Sequence, residues 1–146
     1  MPGLLLFLLR DVGKSRRSLY YYSRRETDVT KGDDIRERLL HLGVSIMRLC
    51  EELPSTLAGK HIAGQLLRCG TSAAPNYAEG MGAESASDFV HKLGVVLKEL
   101  NETEMWLEMI RMAELLPDVR VQPVLQECVE RKDGGGSSEG IVDNYR

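Results

Sequence analysis

Residues 35–53 read IRERLLHLGVSIMRLCEEL, and within them Ile35, Leu39, Leu42, Ile46, Leu49 and Leu53 recur at steps of 4, 3, 4, 3 and 4. At 100° per residue these six positions fall within an arc of roughly 80°, one narrow apolar seam along a helix. Arg36, Glu37, Arg38 and Arg48 point away from the seam. Asp33 or Asp34 is placed to cap the helix and Pro54 to stop it. A single stripe of this kind is buried only against other elements, so the rest of the chain has to supply partners.

Downstream the same period returns. A second helix is expected from about Ala58 to Glu79, with Ile62, Leu66, Cys69, Ala73 and Tyr77 inward and Gly80 and Gly82 ending it. Pro75 inside it removes a backbone donor and crowds the carbonyl four residues back, which predicts a bend or a lost turn there. Ser85 with Asp88 resembles a capping box and opens a third helix whose stripe is Phe89, Leu93, Val96, Leu100 and Leu107, ended by Pro117. Val121, Leu125 and Cys128 mark a fourth helix about half as long, starting at Pro117 or Asp118, with Pro123 tolerated only near its first turn. No stretch alternates as a strand does. The expected fold is all-α, an antiparallel up-and-down four-helix bundle with a short fourth helix, which leaves part of the bundle groove for a partner chain to cover.

The flanks differ from this core. Residues 1–33 show no sustained period and read as a poorly ordered basic extension, 34–132 as the bundle, and 133–146, rich in Gly and Ser, as a flexible tail. The chain has 146 residues, 42% hydrophobic, 28% charged and only 5% aromatic, which is one soluble domain with a core of aliphatic side chains. Its net charge of −3 argues against a constitutive nucleic-acid binder, yet residues 10–25 carry six basic side chains against Asp11 alone. Cys50, Cys69 and Cys128 form neither a disulfide framework nor a zinc pattern, which points to a reducing cytoplasm. The apolar run Leu4–Leu9 is too short to span a bilayer and its positive charges follow it, so no secretion is expected.

Catalytic constellations are missing from the pattern. His41, His61 and His91 are isolated, no metal-ligand spacing occurs, and Cys69 on an apolar face reads as a structural thiol. Glu99, Glu102 and Glu104 read as an acidic helix face. No cofactor, metal or small-molecule substrate is expected. One pattern stands out: Gln65, Arg68, Ser72, Asn76 and Glu79 recur at steps of 3, 4, 4 and 3, a polar strip beside the apolar stripe of the second helix. Gly64, Gly70, Ala73, Ala74 and Ala78 surround it and permit close approach of another backbone. Two readings remain open, a hydrogen-bond network inside the bundle or between subunits, and a strip that contacts a polar ligand or RNA. Asp88, Lys92, Glu99 and Glu102 share a face of the third helix, and the carboxylates on it can supply counter-charges to Arg68.

The run from Gln65 through Arg68, Cys69, Gly70, Ser72, Pro75, Asn76 and Tyr77 to Gly80, followed by Asp88-Phe89, resembles the signature of the 23S ribosomal RNA intervening-sequence proteins. The segment Leu97–Leu107 looks like the second hallmark of that family, and the resemblance covers roughly Ile35 to Glu130. It implies an antiparallel four-helix bundle assembling as a homo-pentamer without known catalytic activity. A related bundle protein, strongly basic, accompanies the reverse transcriptases of diversity-generating retroelements. The expected function is therefore a non-enzymatic, cytoplasmic, bacterial homo-oligomeric scaffold whose partner is an RNA or an RNA-processing protein. The polar strip is its expected partner or subunit contact. The alternative is a nucleic-acid-binding accessory subunit of a reverse transcriptase. Nucleic-acid contact, if made, is expected from Arg16, Arg17, Arg24, Arg25 and Lys98.

Overall fold

The computed structural model describes residues 31–133, with side-chain placement for 34–130. Those residues form four helices joined by short turns: α1 Lys31–Glu52, α2 Leu57–Met81, α3 Ala86–Met112 and α4 Asp118–Asp133. Each helix packs on its two neighbours around a closed ring, α1 on α2, α2 on α3, α3 on α4 and α4 back on α1. Successive helices run antiparallel. Along the α2–α3 seam, for example, Arg68 meets Glu102 while Glu79, further on in α2, meets Lys92, earlier in α3. The expected bundle is the fold.

The helix ends follow from local chemistry. Thr56 caps α2 by accepting from the Gly59 amide at 3.1 Å, and Ser85 caps α3 by accepting from the Asp88 amide at 3.0 Å. Three boundaries differ from the sequence expectation. Helix α1 begins at Lys31, so Asp33 and Asp34 stand inside the helix rather than ahead of it. Helix α2 runs through both Pro75 and Gly80, and Gly82 is its C-cap. Gly80 stays helical because its side faces α3: a Cβ there would come within 3.2 Å of the Lys92 Cβ. Helix α3 stops at Met112, ahead of Pro117, as the chain turns at Glu114 in the left-handed region with φ 51°.

The seam residues form the core. Leu42 and Ile46 of α1, Leu66 and Cys69 of α2, Leu93, Val96, Leu100 and Leu107 of α3, and Val121 and Cys128 of α4 are all fully buried. Each such aliphatic side chain is worth about 1.5–3 kcal/mol relative to exposure. The α1–α2 crossing is close because Gly70 faces Ile46, and a Cβ at Gly70 would lie 2.4 Å from Ile46 Cδ1. The 16 residues of α4 pack beside the later turns of α3, where the Cys128 thiol donates to the Leu100 carbonyl. Phe89, expected in the stripe, is only half-buried, and its neighbour Val90 is exposed.

At the far end, Arg120 Nε donates to Glu52 at 2.8 Å and fastens α4 to α1. The hydrogen bonds from Arg120 hold the Glu52 carboxyl below its ordinary pKa. Whatever this link contributes is therefore present above the ordinary carboxylate pKa and disappears as pH falls through the lowered one.

Candidate functional site: the polar seam between α2 and α3

The side chains of α2 that lie just off its apolar stripe face α3, because the two helices share the longest packed seam of the bundle. Of the five residues of the predicted strip, Arg68 and Glu79 reach partners on α3, and the other three do different things. Gln65 is half-buried. The Ser72 hydroxyl donates to the Arg68 carbonyl at 2.7 Å, and the Asn76 amide donates to the Ser72 carbonyl at 2.9 Å, so both side chains turn back onto their own helix. Glu79 binds Lys92 of α3, and this hydrogen bond raises the Lys92 ammonium above its ordinary pKa. The contribution of that pair is present at neutral pH and is lost as pH rises through the raised value.

Arg68 is the centre of the arrangement. Its Nη2 donates to Glu102 Oε1, and its Nη1 lies 3.6 Å from Glu99 Oε2. Glu99 is mostly covered, its side chain 15% exposed, and Oε2 is buried without a hydrogen-bond partner among the described residues. The guanidinium, 51% exposed, is thus the charge that answers a sheltered carboxylate from the solvent side. The counter-charge reading of Glu99 and Glu102 holds, and Glu99 is not the solvated acidic face its sequence neighbourhood suggests.

The periodic pattern did not mark two further members. Trp106, one turn beyond Glu102, directs Nε1 to Glu102 Oε1 at 3.4 Å, and His61 packs edge-on against its ring, with centroids 5.9 Å apart at 72°. The i, i+4 spacing from Glu102 was the available signal. Beneath the ion pairs, the Thr103 hydroxyl donates to the Glu99 carbonyl at 2.7 Å and touches Cys69 Sγ at 3.3 Å. Burial raises the Cys69 thiol pKa, and burial pushes Cys50 up to about 11, so both are protonated at neutral pH and are poor nucleophiles.

The other predicted contacts are not brought here. Lys98 is exposed on α3 and makes no ion pair among the described residues, while Arg16, Arg17, Arg24 and Arg25 lie outside the described residues. Among the described residues no group of three or more His, Cys, Asp or Glu side chains could hold a metal ion, and no helix is long and apolar enough to cross a membrane.

The geometry predicts unequal arginines. Arg68→Ala strips the answering charge from Glu99 and Glu102 and is expected to cost about 1–2 kcal/mol in a denaturant titration. Arg36→Ala, at an exposed site, is expected to stay within about 0.5 kcal/mol. Equal losses would show that Arg68 does not answer Glu99.

No curated protein shows a significant match to the chain. A solved structure of a protein of unknown function from the S23 ribosomal protein family of Bacteroides thetaiotaomicron is 32% identical, with a TM-score of 0.63, over 67% of this chain and 91% of that one. The family model for the 23S rRNA-intervening sequence protein matches residues 33–133, a stretch that takes in all four core stripes and the Arg68 seam. This chain belongs to the family of 23S rRNA-intervening sequence proteins.

Proposed function

We propose that the protein is a non-enzymatic, cytoplasmic scaffold that works as a closed homo-oligomer, a pentamer, and presents its bundles to an RNA or an RNA-processing protein. The observation that carries this reading is the surface beside Arg68. Met105, Met109 and Met112 recur at steps of 4 and 3 on the outer side of α3, all exposed, next to the Arg68–Glu102–Trp106 seam. Exposed methionines bordering a polar network make a surface that a neighbouring subunit covers well, since thioethers adapt to an irregular partner and the ion pairs set orientation. Gln65, Arg68, Ser72, Asn76 and Glu79 then lie at or beside the subunit contact.

Light scattering tests the assembly. The expected mass is five times the 16.3 kDa protomer at micromolar concentration, and M105R/M109R, at sites exposed in the protomer, should lower it without loss of helicity. A single-protomer mass for the native chain defeats the proposal.

The described side chains, residues 34–130, hold nine basic against fifteen acidic groups, so the bundle itself repels phosphate. RNA contact is accordingly assigned to Arg16, Arg17, Arg24 and Arg25, with weak, sequence-tolerant and salt-dependent binding. Replacing these four arginines with glutamine should weaken binding and lower the salt slope by about 3. If affinity and slope stay unchanged, Lys98 and Arg68 are the candidates left.

A further inference from the structure

We propose that the apolar run Leu4–Leu9 seats on the outer seam between α1 and α2 of its own chain. On the outer side of α1 and α2 the bundle carries a second apolar patch that no described residue covers. Leu40, Val44 and Met47 of α1 are 45%, 43% and 51% exposed, and Leu67 of α2 is 41% exposed. Steps of 4 and 3 put the first three on one side of α1. The antiparallel register places Leu67 beside them. Gly43 approaches Gly70, and the Cys50 thiol donates to the Ala63 carbonyl, so Met47, between Gly43 and Cys50, lies level with Leu67, between Ala63 and Gly70. Gly43, Gly70 and Ala74 are buried along this seam, and their lack of long side chains leaves Leu40, Val44, Met47 and Leu67 as the walls of a shallow apolar trough.

Two arguments choose the occupant. A stable contact between two copies engages about 800 Å² and 20–30 residues on each partner, far more than a trough with four main walls, whereas a single short segment matches it. Leu4–Leu9 is six consecutive apolar residues within the thirty that precede α1. Its tether, residues 10–30, reaches up to about 70 Å when extended, and the trough centre lies only about 20 Å along α1 from Lys31. A segment so tethered acts at an effective concentration in the millimolar range, so modest contact is enough to hold it. Charge favours the same arrangement, since residues 10–25 carry a net +5 and the bundle over 34–130 a net −6. The family match begins at residue 33, so the run lies outside the shared bundle and the inference does not depend on the proposed oligomer.

Photo-cross-linking tests the proposal in the full chain. With Leu6 replaced by benzoylphenylalanine, mass spectrometry should find intrachain links to residues 40–47 or 64–74. Adding Val44→Arg and Met47→Arg should cut their yield by about tenfold or more, with helicity checked by circular dichroism. Because the first map is read on an unaltered bundle, a folding defect in the double variant does not remove the test. Links to Met105–Met112, links between two chains, or the absence of links overturns the proposal, as does a yield indifferent to the arginines.

Discussion

Leu42→Asp or Leu93→Asp unfolds the domain: in circular dichroism each variant should lose most of its helical signal at a temperature where the native chain is intact. Leu42 on α1 and Leu93 on α3 are both fully buried within the single hydrophobic core. The substitution removes about 2–5 kcal/mol of packing and transfer energy and places a carboxylate where nothing can pair with it. Protonating or burying that group adds several kcal/mol more, and the sum rivals the roughly 5–15 kcal/mol that holds a domain together. The control is Met47→Asp, on the same helix but half exposed, which should leave the melting temperature within a few degrees. A fully helical Leu42→Asp chain with native melting behaviour would mean that the seam is not the core.

A pair of glycine substitutions should move stability in opposite directions. At Gly59 a Cβ would sit 2.0 Å from the Pro54 carbonyl oxygen and 3.0 Å from its carbon. Those are backbone atoms of the tight α1–α2 turn, so no side-chain rotation relieves the clash. Gly59→Ala therefore has to open the first turn of α2 and strain the Thr56 cap, at an expected cost of about 2–4 kcal/mol. Gly64 lies in the same helix with nothing within 4 Å of its Cβ position. Gly64→Ala reduces the conformational freedom of the unfolded chain and improves helix propensity, so it should gain about 0.5–1 kcal/mol. Chemical denaturation of the three chains settles both. If Gly59→Ala is neutral, the turn is looser than its geometry shows.

The sequence carries the fold at the level where periodicity is a physical requirement. A helix whose apolar residues recur every three or four positions has one burial solution, and Ile35 through Leu53 already state it. Boundaries were less legible because caps compete with packing. Gly80 has the composition of a stop, but packing against Lys92 and Phe89 keeps it helical, and Pro117 arrives five residues after α3 has already ended. Thr103 and Ile110, buried in α3, did not stand out, since the first is polar and the second lies past the last residue of the expected stripe.

The same division runs through the polar seam. The amino-acid order alone determined that Gln65, Arg68, Ser72, Asn76 and Glu79 share one side of α2 and that carboxylates of α3 can answer Arg68, because both follow from helical spacing within one element. Only tertiary structure decided how the strip is used. The depth of α2–α3 packing shelters Glu99 and leaves Arg68 half exposed, while Ser72 and Asn76 donate back to the Arg68 and Ser72 carbonyls one turn earlier in α2. It also brings His61 and Trp106 together from positions 45 residues apart. Helical period fixes direction within an element, whereas burial and pairing depend on how closely two elements approach. Here that distance is set by Gly80 facing Lys92 and Phe89 of α3 and by Gly70 facing Ile46 of α1, and no single stretch of sequence reports it.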